Sequence, residues 1–292
     1  MSRSIPQSRF FPPASEASEE GILLVGGYVI PDILVDALVH GVFPWPVYAG
    51  EPEDYSDNSE SHDASQDSGS ETEEEEEARP DLSLFERLSP EIRNASWNGF
   101  DYGSLPTIAE SGETLCWWSP DPRGIFELDK LHIPTRLRRT MRSSKFQVTF
   151  DQAFPEVMLG CAFAGARQEE GSWISKEFFC GYCRLFELGL AHSAECWKIE
   201  NNESGATERR LVGGVYGVAI NGFFDGESMF SVETDASKVA LFSLLTRLAE
   251  HQFKLFDLQI INSHTQSLGA VEIPRAKYLK RLEDAVLTPA TF

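Results

Sequence analysis

Two polar side chains stand two apart in a strand-like run that is otherwise apolar: Asp257 and Gln259, in KLFDLQII. Alternation along a strand puts Asp257, Gln259 and Ile261 on one face and Phe256, Leu258 and Ile260 on the other. On that spacing the Asp257 carboxylate accepts from the Gln259 amide NH2. The Gln259 carbonyl then points outward, as an acceptor for an incoming N–H. The same spacing also describes a buried hydrogen-bonded pair that serves folding alone. Glu227, in Gly226-Glu227-Ser228-Met229-Phe230, is a further candidate. A carboxylate among such neighbours needs a hydrogen-bonding partner or a cationic ligand. His132, His192 and His264 read as structural histidines. The chain has no Ser-His-Asp order, no phosphate-binding loop and no metal-ligand spacing that points to a site.

These residues fall within residues 211–275, where Gly213, Gly214, Gly217, Gly222 and Gly226 crowd two strand-like runs. Strand interiors usually avoid glycine, so the crowding predicts close approach of a ligand or of another backbone. Upstream, PTRLRRTMRSSKF predicts a helix opened by Pro134 and carrying Arg136, Arg138, Arg139, Arg142 and Lys145. Such a helix suits a phosphate backbone, and it equally suits a solvated face paired with local acids. The five cysteines include one close pair, Cys180-Gly-Tyr-Cys183. A zinc site needs two more ligands at sensible spacing, so reduced, buried thiols on a helix are expected.

The elements that must position these groups follow from punctuation and periodicity. The formal net charge is -21, but residues 51–81 hold fourteen acidic side chains against one basic. That tract has almost no aliphatic side chain, so residues 50–110 are expected to be a disordered insertion, with a short helix in LSLFERL. Residues 1–20 read as a loosely held arm. Pro31 opens a helix with an apolar stripe of Ile33, Leu34, Ala37 and Leu38, stopped by Gly41. Phe43-Pro44-Trp45-Pro46 reads as a rigid extended segment, with Trp45 as a core plug on composition alone. Further helices are expected with Phe154, Val157, Met158 and Cys161 inward, from Ser175 to Gly189, and from Thr234 or Asp235 with Leu241, Leu244, Leu245 and Leu248 inward. Helices first, then strands crossed by helices, predict an α+β core with a central, mostly antiparallel sheet. No segment approaches the ~20 apolar residues of a membrane span.

Taken together and in order, GILLVGG, HGVFPW, CWWSPDPRG, GSWISKE, FELGLAHSAE, LVGGVYGV, GESMFS, DASKVAL, DLQ and SLGAVEIPR resemble the leucyl/phenylalanyl-tRNA–protein transferase family. The resemblance covers residues 21–47 and about 115–282. It implies a small N-terminal domain (1–122, carrying the acidic insertion) followed by an acetyltransferase-like (GNAT-like) catalytic domain (123–292). It implies a cytoplasmic monomer that moves Leu or Phe from aminoacyl-tRNA to the N-terminal α-amine of proteins starting with Arg or Lys, the tagging step of N-end rule degradation. Asp257 would orient Gln259, whose carbonyl would draw on the attacking amine. Trp45 and Trp173 would hold the terminal adenosine, so Trp45 would be more than a core plug, and Glu227 would help position the aminoacyl-adenosine end. Val215, Gly226, Met229, Ser231, Leu241, Leu244, Leu248 and Phe256 would form the side-chain pocket. The basic helix would meet the acceptor stem. The ester is already activated, so neither ATP nor a metal cofactor is implied.

Three departures from the family pattern stand out: the insertion parts Trp45 from Trp117 and Trp118, Phe186 replaces a histidine, and Val215 replaces a larger Met. A CoA-dependent N-acyltransferase would need a pyrophosphate-cradling Q/R-x-x-G-x-G/A turn. The nearest approach, Gln266-Ser-Leu-Gly269-Ala-Val271, fails at Val271. A non-catalytic tRNA- or peptide-binding relative is the other alternative, and intact Asp257, Gln259, Glu227, Trp45 and Trp173 argue against it.

Overall fold

A computed structural model describes residues 4–48, 87–165, 167, 171–201 and 207–292. The acidic tract, most of LSLFERL and the tip of the ENNESGATERR loop lie outside the described residues. Strand β1 (Ile22–Val25), helix α1 (Pro31–Val39) and strand β2 (Phe43–Tyr48) come first. Pro31 sits in the first turn of α1, and Leu34, Ala37 and Leu38 are buried beneath it. Residues 4–20 are not a loose arm. Phe11 and Ala14 are buried, Phe11 rests on Trp117, and Ser8 hydrogen-bonds to Asp36 of α1.

The disorder expected of residues 50–110 does not extend through their second half. Helix α2 (Pro90–Arg93), a hairpin of β3 (Ser96–Trp97) and β4 (Phe100–Asp101), and helix α3 (Ile108–Ser111) occupy its second half. Leu88, Ile92, Trp97 and Leu105 are buried there. Trp97 meets Phe230 edge-on at 5.2 Å and donates to the Leu211 carbonyl at 3.4 Å. Burying four large apolar side chains offsets the ordering entropy of this stretch.

Strand β5 (Glu113–Trp118) lies between β1 and β2 in a three-stranded sheet, then turns through Ser119-Pro120-Asp121-Pro122 into β6 (Arg123–Phe126). Helix α4 (Thr135–Arg142), strand β7 (Gln147–Phe150), helix α5 (Phe154–Phe163) and helix α6 (Lys176–Glu187) follow. Gly189, at φ +71°, ends α6 in the left-handed conformation that suits glycine. Strands β8 (Ala191–Asn201), β9 (Thr207–Ile220) and β10 (Phe223–Ser231) form a meander. Helix α7 (Ala236–Glu250), strand β11 (Leu255–Gln259), helix α8 (Ser263–Ser267), strand β12 (Val271–Ile273) and helix α9 (Arg275–Leu287) complete the chain.

The main sheet runs β12-β6-β11-β10-β9-β8-β7. β10 and β11 are parallel, and every other neighbouring pair is antiparallel. The protein is therefore an α+β fold around a mixed, mostly antiparallel sheet. Alternation sorts the sheet's side chains between two cores. Tyr216, Phe223, Phe230 and Leu255 join a core with α1, α5, α6 and α9. Val212, Val215, Phe224 and Phe256 join a second core with α7 and Leu137 of α4. Among the described residues no helix is long and apolar enough to cross a membrane.

Candidate active site

Strand β6 was not foreseen as part of the main sheet, yet it carries the residue on which the site rests. Its four residues are buried on both faces, so they show no alternation. Arg123 is 1% exposed and Asp257, on the adjacent strand β11, is 0% exposed. The Arg123 Nη2 donates to Asp257 Oδ2 at 2.7 Å, and Nε donates to Oδ1 at 3.0 Å. The remaining fork, Nη1, donates to the Gly41 carbonyl behind α1 at 3.0 Å. The guanidinium lies over the Phe43 ring at 4.7 Å and the Tyr278 ring at 4.5 Å. Burial works most strongly against the Arg123 charge, but Asp257, Tyr278 and Asp225 together outweigh it and hold Arg123 protonated more firmly than usual. Tyr278 of α9 adds a hydroxyl donor to Asp257 Oδ2 at 2.5 Å.

Gln259 ends β11 in an uncommon backbone state. Its φ is +62°, in the left-handed region that costs a non-glycine residue about 1–3 kcal/mol. The register with β6 shifts between Asp257 and Gln259, which leaves Leu258 as the extra residue of a bulge. Gly124 faces that bulge, and a Cβ there would lie 2.7 Å from Ile261 and 3.1 Å from Leu258. The Gln259 N–H donates to Asp257 Oδ1 at 2.9 Å, which holds the turn.

The expected Asp257–Gln259 side-chain bond is therefore corrected. Asp257 accepts from the backbone of Gln259, because Arg123 and Tyr278 already occupy its carboxylate and the bulge swings the amide toward β10. There the Gln259 Nε2 donates to Asp225 Oδ1 at 2.8 Å, which leaves Oε1 as the acceptor end.

Asp225 and Glu227 both stand on β10, separated by Gly226. Glu227 is the extra residue of a second bulge, since Gly226 pairs with Gly217 and Ser228 with Tyr216. Glycine at 217 and 226 is a matter of protein contacts. A Cβ at Gly217 would meet the Asp225 carbonyl at 2.1 Å, and one at Gly226 would meet the Phe256 ring at 2.4 Å. Of the two readings of the glycine crowding, close approach of another part of the chain accounts for these positions. Tyr182 of α6 donates its hydroxyl to Glu227 Oε1 at 2.6 Å. Burial and the neighbouring Glu227 carboxyl raise the Tyr182 hydroxyl well above its ordinary value, so it remains a donor. Burial also pushes Glu227 up to about 7, against the pull of the Tyr182 hydroxyl and of neighbouring Asp225.

Trp45 of β2 and Trp173, just before α6, stack on each other at 5.0 Å and 28°. Both are half-buried. Trp118 fixes this edge of the small sheet by donating to the Trp45 carbonyl at 3.0 Å. Trp173 meets Phe178 edge-on at 5.0 Å, and Phe178 stacks on Tyr182 at 6.4 Å. An aromatic row thus links the tryptophan pair to Glu227 through one face of α6.

The pocket candidates lie on the sheet's other face. Val215, Leu241, Leu244, Leu248 and Phe256 are at most 3% exposed and share one core with Phe224 and Phe126, with Met229 packed against it. Gly226 is half-buried at its border, and Ser231 is exposed at the far end of β10. The structure thus brings six of the eight into one apolar cluster, while Ser231 stands apart from it. Arg136, Arg138, Arg139, Arg142 and Lys145 are all exposed, on and just beyond α4. Pro134 caps that helix, which begins at Thr135. The ion pairs among the described residues use none of the five. The five cysteines are unpaired and buried, with Cys180 and Cys183 on α6. Burial pushes the Cys180 thiol up to about 12, which suits a packed thiol.

Reasoning from sequence missed Arg123, Asp225, Tyr182 and Tyr278. Asp225 carried a usable signal: it is an acid two residues before Glu227, in an otherwise apolar run. Arg123, Tyr182 and Tyr278 reach the site only through tertiary packing.

A family model described as leucyl/phenylalanyl-tRNA protein transferase matches residues 125–283, which takes in β11, β10, α7 and the second half of β6. The chain is 34% identical over 279 residues to the leucyl/phenylalanyl-tRNA–protein transferase of Magnetococcus marinus, covering 96% of this chain and 89% of that one. It is 45% identical over 196 residues to the protein of the same name from Stutzerimonas stutzeri, covering 67% of this chain and 80% of that one. With the one from Gloeobacter violaceus it shares 38% identity over 205 residues, covering 70% and 97% of the two chains. The protein is an aminoacyltransferase. It belongs to the leucyl/phenylalanyl-tRNA–protein transferase family.

Proposed function

We propose that this protein transfers Leu or Phe from aminoacyl-tRNA to the N-terminal α-amine of a protein or peptide that begins with Arg or Lys, the tagging step of N-end rule degradation. In this reading residues 1–122 form a small N-terminal domain and residues 123–292 an acetyltransferase-like (GNAT-like) catalytic domain. The observation that carries it is the Gln259 amide, locked through Nε2 onto Asp225 with Oε1 left to accept. Oε1 accepts an N–H of the incoming amine and aims its lone pair at the ester carbonyl. The new C–N bond forms as the ester C–O bond to the ribose breaks, and the proton lost by the amine ends on the departing ribose oxygen. An α-amine has a pKa of roughly 7.7–8.0, so a usable fraction is neutral near pH 7. A glutamine amide is a poor base, so positioning supplies most of the rate.

Trp45 and Trp173 hold the terminal adenosine by stacking, and Glu227 positions the aminoacyl-adenosine end. The apolar cluster of Val215, Met229, Leu241, Leu244, Leu248 and Phe256, bordered by Gly226, takes the Leu or Phe side chain. Such a pocket separates single methylenes by only about 1–3 kcal/mol, so both amino acids are accepted. The exposed cations of α4 meet the acceptor stem. Replacing Arg138 and Arg142 by alanine is expected to lower the slope of log affinity for tRNA against log salt by about 2, since each phosphate contact contributes roughly one unit. Filter binding across a salt series measures the slope.

The test is transfer of radiolabelled Leu and Phe from charged tRNA to peptides that begin with Arg, Lys, Gly or Asp. Labelling of the Arg and Lys peptides, with little on Gly or Asp, is expected. Equal labelling of all four would overturn the acceptor assignment.

A further inference from the structure

Asp225 is fully buried on β10. Its Oδ1 is used, accepting from Gln259 Nε2 at 2.8 Å. Its Oδ2 is buried and meets no donor among the described residues. Its carboxyl lies within the field of the Glu227 carboxyl, two residues on along the same strand. Two carboxylates are both acceptors, so neighbouring ones share a hydrogen bond only when one of them carries a proton. Glu227 already accepts from Tyr182 at 2.6 Å, a bond that suits a carboxylate. A proton on Asp225 Oδ2 removes the orphaned buried atom and supplies the missing donor at once.

We propose that Asp225 is a positioning residue for aminoacyl transfer and works as a neutral carboxylic acid: Oδ1 accepts from the Gln259 amide while the Oδ2 hydroxyl donates to Glu227. One buried proton thus sets the two groups that face the substrate. It turns Gln259 Oε1 toward the amine, and with Tyr182 it holds Glu227 from two sides. This rests on the reading of Gln259 as the group that receives the amine.

The surroundings favour the neutral form. Glu227 on the same strand and Asp257 on β11 are acids, and burial and their proximity raise Asp225 well above the usual carboxylate range. Tyr182 on α6 and Tyr278 on α9 also lie within its field as neutral hydroxyls. Arg123 on β6 is the one cation among these groups, and it acts against protonation of Asp225. That cation is already bound to Asp257 through three hydrogen bonds. The sign follows. A raised carboxyl stays protonated through neutral pH and loses its proton only as pH rises beyond it.

Two measurements test this on the full chain. With aspartate labelled by carbon-13 at the carboxyl, the spectrum at neutral pH should hold one resonance at the position of a protonated acid, absent from Asp225→Asn. If every aspartate resonance sits at the carboxylate position, the proposal is overturned. In transfer assays Asp225→Ala should lose about tenfold or more in kcat, the value of one well-placed hydrogen bond, with KM for aminoacyl-tRNA little changed. Asp225→Asn keeps an acceptor for Gln259 and a donor for Glu227, so it should recover most of that loss. A folded Asp225→Asn as slow as Asp225→Ala would overturn the proposal. The carbon spectrum reads Asp225 without any transfer, so its outcome is separate from the fate of the Gln259 reading.

Discussion

Arg123→Met is expected to lower the folding free energy by about 3–5 kcal/mol, the cost of leaving a buried charge without its partner. Asp257 is 0% exposed and would keep only Tyr278 and the Gln259 N–H as donors. The Gly41 carbonyl would lose its donor as well. Because the Arg123 fork ties β11 to α1 across the two sheets, the loss should reach the turn at Gln259 too. The double variant Arg123→Met with Asp257→Asn should regain a large part of the stability. Asparagine carries no charge, and its Oδ1 still accepts from Tyr278 or from the Gln259 N–H. Urea unfolding checks both, read as a shift of the midpoint at constant slope. A double variant no more stable than Arg123→Met would show that packing of the guanidinium between Phe43 and Tyr278, and not its charge, is what matters.

Gln259→Ala is expected to lower the rate of transfer about a hundredfold, the scale of misplacing a reactant by roughly an ångström. The amide is half-buried and, among the described residues, bonded only to Asp225. Truncation therefore removes the acceptor for the amine while the Asp257 turn, which uses the backbone N–H, remains. The tryptophan pair and the basic helix are untouched, so affinity for aminoacyl-tRNA should stay within a few-fold. The stability change should be small beside that of Arg123→Met. The loss belongs in kcat, because the missing contact is made to the attacking amine and not to the bound ester.

Much of this could be read from the chain because it is local. A lone Asp-x-Gln in an apolar strand marks its own face, and the leucine stripe of α7 and the glycine after α6 mark their own elements. What could not be read is where the partners come from. Arg123 lies 134 residues before Asp257 and sits in a four-residue strand buried on both faces, which has no periodicity to betray it. Strand alternation also misled. It assumes regular backbone, and the bulge with positive φ at Gln259 breaks the rule at the one position where chemistry depends on it. Residues 87–110 were masked by their neighbourhood: an acidic tract precedes them, and their buried side chains follow no single period. Trp97 finds its place only against Phe230 and Leu211, far along the chain.

The most direct test of the central claim is single-turnover transfer of Phe from charged tRNA to an Arg-initiated peptide, with wild type and Gln259→Ala side by side and tRNA affinity measured on both. The account predicts rapid transfer by wild type, transfer about a hundredfold slower by the variant, and similar affinities. Equal rates from the two proteins would contradict the assignment of Gln259, and no transfer by a wild type that binds charged tRNA would contradict the proposed reaction itself.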